Sequence, residues 1–194
     1  MTLSTAILGV IGLGFGLYQY YIAQKWRKSE FAARQLEMLD SNPELSLCCK
    51  FLDWSRRDLP VPEKYKAYTD NKTFEHNWTV LAEAMIPKRR KGRYTWQQAM
   101  YRDHFDRLCE YFQRLNHYLS IGLVTKSDIA TVEYWLKELA KPRFLHNGDE
   151  RMFIDFIRFF QYQGVLELMK KFGVVFNYPE FSTSEKVDRA SMIE

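Results

Sequence analysis

The chain has 194 residues, of which 46% are hydrophobic and 16% aromatic, and its formal net charge is +4. This composition supplies enough apolar side chains for a core and excludes a disordered or low-complexity chain. The three cysteines, Cys48, Cys49 and Cys109, are odd in number and two are adjacent, so they do not indicate a disulfide framework. We therefore expect a folded domain in a reducing compartment.

The first element is an apolar segment with no charged side chain before Lys25. Residues 3–22 would form a helix about 30 Å long, which matches the hydrocarbon thickness of a bilayer. Amphipathic aromatic and basic residues come at its end: Tyr18, Tyr20, Tyr21, Lys25, Trp26, Arg27 and Lys28. We predict that residues 1–24 are a transmembrane anchor. A buried or interfacial helix is the alternative, because glycines and Gln19 lower the hydropathy.

The charges around the anchor predict its orientation. A secretory signal peptide would require a basic residue before the apolar run, and this chain has none there. Basic residues follow it, and loops rich in Lys and Arg stay in the cytoplasm. We therefore predict a single-pass membrane protein with its N-terminus outside and its C-terminal domain in the cytoplasm.

Three glycines, Gly9, Gly12 and Gly16, recur three and four residues apart, so a helix would place them in one stripe. Small residues allow the backbones of two membrane helices to approach closely. One hypothesis is that the anchor associates with further copies into a homo-oligomer. The alternative is that glycine is simply common in membrane helices.

Residues 25–175 show helical periodicity and no alternation of period two, so the fold class we predict is an all-α cytosolic bundle without strands. The anchor helix should continue to about Leu39, and a second helix should cover 43–56. Residues 58–77 carry prolines and turn formers, which predicts an irregular connection. A short helix should follow at 78–85.

The clearest helix begins after Thr95, which forms a capping-box pattern with Gln98. Its apolar residues recur at alternating spacings of four and three: Tyr101, Phe105, Leu108, Phe112, Leu115 and Leu119. Another helix should start near Thr125, and a last helical region should break near Gly164. Residues 176–194 lack periodicity and are predicted to be a loose tail.

A basic loop precedes this helix and is the first candidate binding site. It contains Lys88, Arg89, Arg90, Lys91 and Arg93. Three interpretations are open: a solvated loop, contact with anionic lipid headgroups, or binding of nucleic acid. Since a short stem would hold the domain near the bilayer, we rank membrane lipid above nucleic acid as the anionic partner.

A second candidate is a nucleic-acid groove formed by Arg102, His104, Arg114 and His117. No metal ligand set is predicted, because His146 with Asp149 and Glu150 is explained by a helix start. No phosphate-binding glycine loop, nucleophile elbow or zinc-protease motif occurs. The sequence therefore indicates no cofactor and no catalytic residue, and it leaves open whether the protein is an enzyme.

Three stretches of the chain, "LDWSRRDLPVPEKY", "YRDHFDRLCEYFQRLNHYLSIGLV" and "VEYWLKELAKPRF", follow the apolar span. In this order they resemble a group of small bacterial single-pass membrane proteins of unknown function. The resemblance implies a cytosolic helical domain and no assigned chemistry, and with it we predict that the membrane is the bacterial inner membrane. The architecture is also similar to that of the membrane-pore accessory proteins of some type VI CRISPR systems, which implies oligomers.

Together these patterns favour a membrane-anchored interaction or oligomerisation module that scaffolds, senses or perturbs the membrane as a multimer. The alternative function is a helical effector that acts on nucleic acid while tethered to the membrane. An inert structural membrane protein is also compatible with the sequence.

Overall fold

The computed structural model describes residues 3–86, 94–142 and 152–174, and describes side chains from Gly9 onward. These residues are largely helical, with one small two-stranded sheet. In chain order the elements are α1 (Leu3–Ser41), α2 (Pro43–Asp53), β1 (Arg56–Pro60), a 3₁₀ helix (Glu63–Tyr68), β2 (Thr73–Asn77), α3 (Trp78–Met85), α4 (Trp96–Ser120), α5 (Val132–Ala140), α6 (Met152–Phe159) and α7 (Gln163–Lys171).

The sheet corrects the prediction of a fold without strands. β1 and β2 pair antiparallel, with Leu59 opposite Phe74 and Arg57 opposite His76. In β2 the side chains of Phe74 and His76 point inward while their neighbours are exposed, so a period of two is present. The sequence did not reveal it because the strand has five residues and one of its two inward side chains is a histidine.

Helix α1 is continuous over 39 residues, as the sequence predicted for the anchor and its extension. Its C-terminal part packs against α4. The Lys28 ammonium donates a hydrogen bond of 2.7 Å to the carbonyl of Gly122, and the ring of Phe31 meets that of Tyr118 at 5.0 Å. Farther along, the Tyr111 hydroxyl donates to the carbonyl of Gln35. The two helices therefore run antiparallel.

Helix α4 is the centre of the bundle, and α2, α3 and α7 pack around it. Its start is fixed as predicted, because the Thr95 hydroxyl and the Gln98 amide form a capping box. Five of the six residues in the predicted apolar stripe are buried; the sixth, Leu119, is half-buried. The burial follows the periodicity of the sequence because the stripe lies on the face of α4 that packs in the core.

The later helices are shorter than predicted. Thr125 and Asp128 hydrogen bond to each other in a turn, and α5 begins only at Val132. The last helical region does break before Gly164, between α6 and α7. A Cβ at Gly164 would lie 3.2 Å from a side-chain carbon of Gln113, so the glycine allows α7 to approach α4 closely.

Phe51 on α2 lies at the meeting point of α2, the sheet and α4. It is fully buried, and its ring contacts those of Phe74, His76, Tyr101 and His104. These aromatic contacts attach the sheet to the bundle. They also fix the segment between the two strands, which contains the 3₁₀ helix, over the N-terminal turns of α4.

Candidate functional site

The N-terminal part of α1 extends beyond the bundle. Residues 9–21 are exposed on every face of the helix. Several of them are large and apolar, and Val10, Leu13 and Phe15 are each more than 60% exposed. Large apolar side chains normally lie in a core or in a membrane. The described part of the chain does not cover those of this segment.

No helix in the described residues is both long enough and apolar enough to cross a bilayer. The transmembrane anchor at residues 1–24 accordingly stays a prediction, and so does the localisation at the inner membrane.

The glycine stripe lies on this exposed segment. A Cβ built at Gly9, Gly12, Gly14 or Gly16 would meet no atom within 4 Å. Each glycine in a helix interior costs roughly 0.5–1 kcal/mol relative to alanine. Contacts within the described chain therefore give no reason for glycine at these positions.

The exposed segment and the start of α4 lie at opposite ends of the domain. Lys28 and Phe31, just after the exposed segment, contact Gly122 and Tyr118 at the C-terminal end of α4. The 25 residues of α4 span about 37 Å. Whatever covers the exposed end of α1 is therefore separated from the first turn of α4 by most of the length of the domain.

The basic residues Lys88, Arg89, Arg90, Lys91 and Arg93 lie outside the described residues. The residues next to that stretch are described. Arg102 donates hydrogen bonds to the carbonyl of Ala84, in α3, and to the hydroxyl of Tyr94. Both flanks of the stretch thus lie near the N-terminal turns of α4, at the end of the domain away from the exposed part of α1.

The four residues of the proposed nucleic-acid groove do not line one surface. His104 is buried, and its Nδ1 bonds to the carbonyl of Met100 at 2.7 Å. The Arg102 guanidinium lies 4.7 Å from the ring centre of Phe160 and is held by the two hydrogen bonds above. Only Arg114 and His117 share an exposed depression, where Glu110 is also present. The described residues therefore bring together two of the four.

A cleft that the sequence did not predict lies between the 3₁₀ helix and the first turns of α4. Its volume is ≈ 350 Å³. Ala99 is the smallest side chain in its lining and lies between Trp96 and Asp103 at helical spacing. The full lining is Lys64, Tyr65, Tyr68, Tyr94, Trp96, Ala99 and Asp103. A small residue between large ones on α4 is the sequence pattern that could have indicated a cleft. It was not enough, because the other wall comes from the distant 3₁₀ helix.

One polar pair lies in the cleft. The Asp103 carboxylate accepts hydrogen bonds from the Lys64 ammonium and from the Tyr65 hydroxyl. Partial burial opposes ionisation of Asp103, but these two hydrogen bonds hold its pKa below the usual value. Burial, and then the bond to Asp103, raise the pKa of Tyr65. The cleft thus holds a carboxylate and an ammonium side by side.

His104 lies just behind this pair and lines a second depression, together with Lys64 and Glu44. Burial lowers the pKa of His104, so the imidazole is neutral near pH 7. Its Nδ1 carries the proton, because the partner of Nδ1 is a carbonyl oxygen. Its Nε2 has no hydrogen-bond partner within the described chain.

The described residues contain no group of three or more potential ligands that could hold a metal ion. His146, Asp149 and Glu150 lie outside them. Comparison of the chain with protein-family models, with curated proteins and with solved structures gave no match. The resemblance to small bacterial membrane proteins therefore stays a prediction.

The buried His104 predicts a loss of stability in mild acid. The imidazole resists protonation in the folded state, whereas in the unfolded chain it takes up a proton near its ordinary pKa of 6.5. The free energy of unfolding should therefore fall as the pH drops below about 6.5. Urea unfolding at about pH 7.5 and pH 5.5 measures this fall, which His104→Leu should reduce.

His117, which is exposed on the same helix, supplies the matched control. His117→Leu should keep the acid sensitivity of the wild type. An undiminished fall of the unfolding free energy in His104→Leu would show that the buried imidazole is not its source.

Proposed function

We propose that the protein is held at a membrane by residues 3–22 of α1 and presents its helical domain as an interaction module. The observation that carries the proposal is the exposure of large apolar side chains around most of residues 10–21, with the glycine stripe on the remaining face. Each square ångström of apolar surface removed from water contributes about 25 cal/mol, so a bilayer would stabilise this segment strongly. Residues 3–8 add further apolar length.

The residues after the segment support a defined depth and orientation. Tyr18, Tyr20, Tyr21 and Trp26 are all at least 60% exposed, and such side chains prefer the level of the lipid headgroups. Exposed Lys25 and Arg27 come next, which favours a cytoplasmic location for the domain. The buried, unpaired cysteines fit a reducing compartment.

The same segment is where we propose that copies of the chain associate. Gly9, Gly12 and Gly16 form one stripe, and the described chain makes no use of it. In lipid such a stripe permits close packing of two helices. The module would then act as a multimer, and its scaffolding, sensing or membrane-perturbing role would depend on that assembly.

The described flanks of the basic stretch bear on its proposed partner. The residues on either side of positions 87–93 lie at the end of the domain away from the exposed part of α1. If α1 stands in the bilayer, these flanks lie away from the headgroups around the anchor, which favours an anionic partner in solution for the basic residues. The alternative function, a tethered effector acting on nucleic acid, has its best support here, since Arg102 and His104 have other partners.

Fractionation of the native cell tests the membrane proposal. The full-length protein should pellet with membranes and resist a wash with urea or alkaline carbonate. The double variant Ile11→Asp with Leu13→Asp should be released, because each charge at the centre of a membrane helix costs about 2.5–3.5 kcal/mol. Ala33→Asp with Met38→Asp is the matched control. It adds the same two charges at exposed positions in the second half of α1, outside the proposed membrane segment, and this variant should stay in the pellet.

Wild-type protein that remains in the soluble fraction without detergent would overturn the membrane proposal. Release of both double variants alike would show that added charge, and not its place on α1, controls the fractionation.

The native mass of the detergent-solubilised protein tests association through the glycine stripe. The wild type should be a multimer, and Gly12→Leu with Gly16→Leu should be a monomer, because the larger side chains keep the helix backbones apart. Gly14 is on the opposite face of the helix, so Gly14→Leu is the matched control and should remain a multimer. A monomeric wild type, or an unchanged mass of the double variant, would contradict this role.

A further inference from the structure

We propose that the cleft between the 3₁₀ helix and α4 binds a planar heteroaromatic ring of nucleobase size, supplied by a free nucleoside. The ring would lie against the tyrosine and tryptophan side chains, with its polar edge on Lys64 and Asp103. The proposal concerns the end of the domain opposite the exposed segment of α1, and it does not depend on membrane insertion.

The size of the cleft limits the ligand. Ligand pockets in proteins measure about 300–1,000 Å³, and ≈ 350 Å³ is at the lower end of that range. The cleft therefore accommodates one ring system and not an extended molecule. Ala99 makes this space available, because the neighbouring positions on the same face, Trp96 and Asp103, carry larger side chains.

Aromatic faces dominate the apolar lining of the cleft. Tyr65 and Tyr68 come from the 3₁₀ helix, and Tyr94 and Trp96 come from the start of α4. Tyr65 is buried, whereas Tyr68 is 70% and Tyr94 39% exposed. An inserted ring would remove apolar surface of the two exposed tyrosines from water, and rings stack favourably on one another.

The polar pair matches the edge of a nucleobase. Asp103 supplies a hydrogen-bond acceptor, and Lys64 supplies a donor next to it. Nucleobases present N–H groups and carbonyl or ring-nitrogen acceptors side by side, so one edge can satisfy both groups. The Tyr65 hydroxyl holds the carboxylate from behind at 2.5 Å, which fixes its position before a ligand arrives.

An organic cation fits this cleft less well than an uncharged ring. The Lys64 ammonium already lies 5.4 Å from the ring centre of Tyr65, and it neutralises Asp103. The Arg102 guanidinium lies 5.0 Å from the ring centre of Tyr94. A further cation would meet two like charges near the aromatic faces that attract it. A wholly aliphatic group would cover part of the solvent-exposed Lys64–Asp103 pair without giving it new hydrogen-bond partners.

Calorimetric titration of the full-length protein in detergent tests the proposal, with adenosine, guanosine, cytidine and uridine as probes. At least one nucleoside should bind saturably to one site, and ribose should not. Ala99→Leu fills the cleft and should weaken that binding by at least about tenfold, because the base can no longer stack on the rings. Ala33→Leu makes the same change on the exposed face of α1 and should bind as the wild type does.

Three results would overturn the proposal. The first is that no nucleoside binds at concentrations up to about 1 mM. The second is that Ala99→Leu, with an unchanged circular dichroism spectrum and melting temperature, binds as tightly as the wild type. The third is that tetramethylammonium or a single-stranded oligonucleotide binds in the cleft while no free nucleoside does. Membrane fractionation is measured separately, so these failures are distinct from a failure of the proposed function.

Discussion

The antiparallel packing of α1 on α4 is the constraint on which the rest of the arrangement depends. Three contacts fix it: Lys28 with Gly122, Phe31 with Tyr118, and Tyr111 with Gln35. Because α1 is one unbroken helix, the same contacts that hold its second half against the domain direct its first half away from the bundle. The apolar segment consequently leaves the domain at one end, and the first turns of α4 mark the other end.

Because of this separation, the two ends of the molecule carry different surface features. At one end an apolar helix with a glycine stripe suits lipid and further copies of itself. At the other end the Lys64–Asp103 pair and four aromatic side chains form a cleft, near the flanks of the most basic part of the chain. In the bundle between them, α4 is buried along one broad face and Phe51 joins the sheet to it. If the exposed segment lies in a bilayer, as we propose, a ligand in the cleft would be held away from that bilayer.

How far the sequence predicts this structure depends on the range of the interactions. The bounds of α3 and the start of α4 follow from local caps, so they were predictable, whereas the five-residue strands were too short to recognise. On α4, Asp103 pairs with Lys64, and Asp106 accepts a hydrogen bond from the Tyr162 hydroxyl. Partners so distant in the chain do not follow from local spacing, and the cleft was missed because its two walls are about 30 positions apart in the chain.

Accessibility of spin labels along α1, in protein reconstituted into lipid vesicles, tests the central claim most directly. Single cysteines at positions 10, 13, 17 and 33 can be labelled selectively, because Cys48, Cys49 and Cys109 are buried and burial raises their pKa values. If the first half of α1 lies in the bilayer, labels at 10, 13 and 17 will be accessible to oxygen and protected from a polar nickel chelate, and the label at 33 will show the reverse. Equal accessibility to the chelate at all four positions would contradict the account.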